Sequence, residues 1–86
     1  MKLVLIEWVD SHSGKGWQPL RDIAANGESV RCRSVGWLVS ESGGCKVIVP
    51  HISGGEKQGI VPYGCGDLSI PDRSIIKVRV LASHAI

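Results

Sequence analysis

Asp10-Ser11-His12 sets a carboxylate, a hydroxyl and an imidazole side by side, with Lys15 and Trp17 shortly after. These are the residue types of a nucleophile triad. Three successive side chains point apart, however, so neighbours cannot form the relay that a triad requires. No GxSxG elbow occurs elsewhere. Metal chemistry needs ligands held together, and His12, His51 and His84 include no pair at i,i+2 or i,i+4. Cys32, Cys45 and Cys65 form no CxxC or CxxH pair, and their odd number argues against a disulfide framework. The expectation is a non-enzymatic chain with no catalytic residues, no metal site and no cofactor.

Binding chemistry is better represented. Gly14-Lys15-Gly16 lacks the spacing of a phosphate-binding P-loop. As a glycine-rich turn it can still present backbone amides to an anion, with Lys15 as a point charge. Trp17 follows that turn and is the best placed aromatic for stacking. Arg31, Arg33, Arg73, Lys77 and Arg79 lie on or beside expected strands. Their plain reading is a solvated sheet face. The sharper one is an anion site where subunits meet, because guanidinium forks match phosphate oxygens. The expected ligand-binding set is Asp10, Ser11, His12, Lys15, Trp17, Arg33 and Arg73, gathered by assembly around a small nucleotide-type ligand.

The elements that must position these residues are mostly strands. Residues 2–9 read as a first strand, rich in Val, Leu and Ile. Residues 19–25 are the one plausible helix, with Pro19 at its start, Leu20, Ile23 and Ala24 on one face, and Asn26-Gly27 as its stop. Residues 29–40 form a long second strand. Its apolar parity switches between Cys32 and Val35, which predicts a bulge or bend at residues 33–36 with Gly36 as the pivot. Glu41-Ser42-Gly43-Gly44 is a hairpin turn and residues 45–49 a third strand. Residues 53–66 form a long glycine-rich loop, either folded over a ligand or an extended hairpin pairing with a neighbouring subunit. Residues 67–70 are a short fourth strand, Pro71-Asp72-Arg73-Ser74 a tight turn, and residues 75–81 the last strand. Ile76, Val78 and Val80 are expected inward, Lys77 and Arg79 outward. Residues 82–86 are expected to be a flexible tail.

Eighty-six residues make one domain, 1–86. A chain of this size buries too little surface to be robust alone. Without disulfide or metal, self-association is the expected support. The net charge of +2 does not by itself imply a polyanion partner. The apolar start Met1–Ile6 is short and is followed by Glu7 and Asp10, so neither a signal peptide nor a membrane span is expected. A cytoplasmic location with reduced thiols follows as the default.

The stretch from Val30 to Leu81 resembles the Sm-like small β-barrel of the Sm proteins and the bacterial RNA chaperone Hfq. The likeness lies in the long strand with Gly36, the Gly43-Gly44 hairpin, Val47-Ile48-Val49, and the run from Leu68 to Val78. It departs where Trp8-Val9-Asp10-Ser11 stands in place of an N-terminal helix, and the RNA-binding residues of that family have no clear counterparts. The whole chain also looks like a group of small bacteriophage and prophage proteins. That match rests on Trp8-Val9-Asp10-Ser11, Gly16-Trp17, Ser34-Val35-Gly36-Trp37, and Ile70-Pro71 with Ile75-Ile76. The resemblance implies an all-β fold with one short helix, a five-stranded, strongly bent Sm-like barrel, and a ring-shaped homo-oligomer. It implies a phage or prophage origin and carries no function with it. The functional expectation is sequestration of a small anionic nucleotide-type ligand such as a host signalling molecule, with Hfq-like RNA binding as the alternative and a structural or protein-interaction module as the third reading.

Overall fold

Strand β1 (Lys2–Asp10) alternates in burial from Leu3 to Glu7. Val4 and Ile6 are fully buried, while Leu3, Leu5, Glu7 and Val9 on the opposite parity are half-buried. The computed structural model describes residues 1–84. Among these, β1 is followed by the helix α1 (Leu20–Ala25), then β2 (Val30–Ser40), β3 (Cys45–Val49), β4 (His51–Ser53), β5 (Tyr63–Cys65), β6 (Leu68–Pro71) and β7 (Ile75–Ser83). A single 3-10 turn, Asp72–Ser74, joins β6 to β7.

The molecule is mostly β. Five strands form one antiparallel sheet in the order β6-β3-β2-β1-β7, and β4 and β5 form a separate hairpin. The buried residues Val4 and Ile6 of β1, Ile48 of β3 and Ile70 of β6 share one cluster, with Trp8, Leu38, Leu68, Ile75 and Val78 packed against it. In a flat sheet β1 and β6 would stand about 14 Å apart, three strand spacings. Side chains from both meet in one core, so the sheet curls over its apolar face. Trp8 fits this half-buried position because its Nε1 donates to Ser34 Oγ at 3.0 Å.

Several local expectations need correction. The register between β1 and β2 runs unbroken from Leu3↔Trp37 to Asp10↔Val30, so no bulge lies at residues 33–36. The irregularities fall between Leu3 and Val4 and between Glu7 and Trp8 in the β1–β7 pairing, and between Leu38 and Ser40 in the β2–β3 pairing. The parity switch in β2 has another cause. Cys32, Ser34 and Gly36 face the core from opposite Trp8, Ile6 and Val4, and the larger β1 side chains fill that space. Val35, Trp37 and Val39 lie on the outer face. Gly36 is needed there for a close approach: a Cβ would sit 3.0 Å from both Ile48 Cβ and the Val49 carbonyl oxygen.

Helix α1 buries no residue, so the face expected to pack is uncovered. Ile76 and Val80, expected inward, are about half exposed, because β7 is an edge strand reached by the core only at Ile75 and Val78. The 53–66 segment ends in strand: β4 and β5 pair with each other, His51↔Cys65 to Ser53↔Tyr63. The expected tail is structured at its start. Ala82 and Ser83 pair with Leu3 and Lys2, and the His84 amide donates to the Met1 carbonyl at 2.8 Å. Residues 85–86 of that expected tail lie outside the described residues.

Candidate functional site

The residues expected to bind ligand fall into three places. Asp10 ends β1, and its Oδ1 accepts the Ser11 amide at 2.8 Å, turning the chain out of the sheet. Ser11 and His12 then line a hollow of about 510 Å³ with Gln18, Asn26 and Glu28. Lys15 is exposed in the same loop, and its carbonyl accepts Gln18 Nε2 at 3.3 Å. Trp17 follows Gly16, which adopts a φ of +77°, and is fully exposed. All residues from 11 to 30 are exposed, so the β1–β2 excursion is an arm carried at the end of the two-stranded ladder.

Arg33 is elsewhere. It projects from the outer face of β2 beside Glu7, with Nε 3.8 Å from Oε1 and its side chain largely in water. It lies three steps along β2 from the arm's base at Val30, about 10 Å of strand. Arg73 sits in the exposed 3-10 turn that lies against β1. Arg33 and Arg73 thus sit on elements that adjoin β1, and the arm leaves from the end of the same strand.

Pairing across β1 builds a further constellation from residues that the sequence left between a solvated face and an anion site where subunits meet. Glu7 is paired with Arg33 on one side and Lys77 on the other. Leu5 is paired with Val35 and Arg79, and Val9 with Arg31. Paired residues project to the same face of a sheet. Arg31, Arg33, Lys77 and Arg79 thus share the outer face of three adjacent strands, with Glu7 as the one carboxylate in those rows. The β2 and β7 cations are two strand spacings apart, about 10 Å, and successive cations on one strand are about 7 Å apart. That is the scale of one or two phosphate groups. The Arg33–Glu7 pair is exposed and long, worth well under 1 kcal/mol, so it does not neutralise the face. Among the described residues, Arg31, Lys77 and Arg79 have no carboxylate within ion-pair distance.

The same face carries an aromatic at its other end. Trp37 is paired with Leu3, and its ring meets His84 edge-on with centroids 5.9 Å apart. Beside them, Trp37, His51, Glu56 and His84 line a second hollow of about 310 Å³. The signal for the cation face was present in the alternation of Arg31 with Arg33 and of Lys77 with Arg79. What was missing was that β1 lies between β2 and β7.

Among the described residues no three His, Cys, Asp or Glu side chains are grouped as a metal site would need. No helix of the described residues is long and apolar enough to cross a membrane. Comparison of the chain with family models, with curated proteins and with solved structures finds no match to any of them.

Proposed function

We propose that this chain is the subunit of a homo-oligomeric, non-enzymatic binding protein of phage or prophage type, which sequesters a small anionic nucleotide-type ligand in the cytoplasm of a host cell. The observation that carries the reading is the cation face of Arg31, Arg33, Lys77 and Arg79 around the lone Glu7. Like charges gathered on one sheet face repel one another, and a bound phosphate offsets that cost. Trp37 on the same face offers a π-surface within reach of a nucleoside attached to such a phosphate. Lys15 and Trp17 of the arm, and Arg73, join this site from neighbouring subunits.

The fold that would organise the assembly is an Sm-like small barrel. The five-stranded order, the curl of the sheet over Ile48 and Ile70, and the 3-10 turn between β6 and β7 support it. The open edges of β6 and β7 are the places where a ring would close, since unpaired edges invite strand addition.

Titration calorimetry with cyclic dinucleotides, run at 50 and 200 mM salt, tests the function. A ligand with about two phosphate contacts loses less than about tenfold in affinity over that range, and an RNA held by six to ten contacts loses about 10³–10⁵-fold. A fixed ligand-to-subunit ratio with a shallow salt dependence supports the proposal. Binding restricted to long RNA with a steep dependence replaces it with Hfq-like RNA binding. Recovery of a hydrolysed product from the denatured complex makes the protein an enzyme.

A further inference from the structure

The arm between β1 and β2 is apolar where nothing covers it. Trp17 is fully exposed, Leu20 is 83 % exposed and Ile23 about half exposed, and α1 buries nothing. The outer face of the main sheet has the same defect. A sheet face turned to water is normally polar, but this one presents Leu3 and Leu5 from β1 and Val35, Trp37 and Val39 from β2. Val35 and Val39 are each 52 % exposed.

The whole-molecule dimensions carry the same message. A folded chain of 9.2 kDa is expected to expose about 4,900 Å², and this one exposes 6743 Å², roughly 1,800 Å² too much. Its radius of gyration is 17.4 Å, where a compact chain of this length has about 12 Å. The extents of 61 × 23 × 21 Å show that the chain is elongated. A standard interface takes about 800 Å² from each partner. The excess is about twice that, the area of a chain that both gives and receives a contact.

We infer that the arm of each chain docks on the outer sheet face of a second copy, seating Trp17 and Leu20 against Leu5 and Val35 and leaving Trp37 open. The inference rests on the self-association in the proposed function and names the surfaces that perform it. The occupant is another copy because one chain supplies both halves of the match: an uncovered apolar arm and an uncovered apolar face. Leu5 is itself paired with Arg79, and the next row along β1, that of Glu7, carries Arg33 and Lys77. Docking there brings Lys15 of one copy to the cation face of another, so that a complete anion site needs two chains. The exchange is reciprocal in a dimer or sequential around a ring.

Sedimentation velocity at low micromolar concentration tests this with two variants whose changes lie at exposed positions. Trp17→Ser/Leu20→Ser removes the arm's contact, and Val35→Lys removes the face's. Each is expected to retain the wild-type circular dichroism and to weaken self-association at least tenfold. Mixing the two restores an association that neither shows alone, because the intact arm of one meets the intact face of the other. Ile60→Ser, an exposed apolar change outside both surfaces, leaves assembly as in wild type. A monomeric wild-type protein overturns both the inference and the oligomeric part of the proposed function. An oligomer that survives both variants, or a mixture that stays dissociated, overturns the arm-on-face contact alone and leaves edge-strand assembly and ligand binding standing.

Discussion

Replacing Gly36 by Ala is the sharpest probe of how this sheet is curled. Gly36 has no left-handed backbone angle, so alanine brings no conformational strain. Its cost is steric. The new Cβ meets Ile48 Cβ at 3.0 Å, the Val49 carbonyl oxygen at 3.0 Å and the Val49 carbonyl carbon at 3.3 Å. None of these is the far end of a flexible side chain, so no rotamer change relieves the clash. β3 must move away from β2 by a few tenths of an ångström. Ile48, 2 % exposed and central to the core, moves with it. Overpacking of this kind costs about 1–3 kcal/mol. For a domain of this length each kcal/mol lowers Tm by about 4–8 °C. A drop of at least about 4 °C is therefore expected. It is read by thermal circular dichroism at one fixed protein concentration, because assembly couples Tm to concentration. Gly36→Val adds two methyl groups to the same contact and is expected to prevent folding. A Gly36→Ala protein melting within about 1 °C of wild type refutes the reasoning. The β2–β3 approach would then have slack, and the core would not depend on it.

Other consequences are read more simply. Ile6→Ala truncates the largest fully buried side chain of β1 and is expected to cost about 2–5 kcal/mol, measured by urea denaturation. Gly43→Ala, at a φ of +76° with open space around it, is expected to lose about 1–2 kcal/mol from backbone strain alone, a loss that Gly43→Asn largely restores. Trp8→Phe deletes the bond to Ser34 Oγ and is expected to cost about 0.5–1.5 kcal/mol from that bond; an unchanged midpoint would show that water replaces the indole donor. Arg79→Glu reverses one charge on the cation face and is expected to weaken dinucleotide binding at least tenfold without changing Tm, because the side chain is exposed. Calorimetry and a thermal melt on the same sample separate the two effects.

The two-glycine turn at 43–44, the Pro71 boundary and the β-rich character of the chain were legible in the amino-acid order, because each is enforced within a few residues. The positive φ at Gly43 and Gly44 is such a local property. So is the alternation that turns Lys77 and Arg79 to one side. The one-sided burial of β1 at Val4 and Ile6 was not legible, because the apolar run 3–6 has no clear alternation of its own. The purpose of Gly36 was not legible. Its apolar neighbours change parity as they would at a bulge, but the register is continuous, and the small residues Ser34 and Gly36 leave room for Ile6, Val4 and Ile48. That depends on which strand curls over which. The same holds for the candidate site. Arg31 and Arg33 are separated from Lys77 and Arg79 by more than forty residues of chain, and only the insertion of β1 between β2 and β7 sets them on one face around Glu7. Local order decides where a side chain points, and the long-range pairing of strands decides what it points beside.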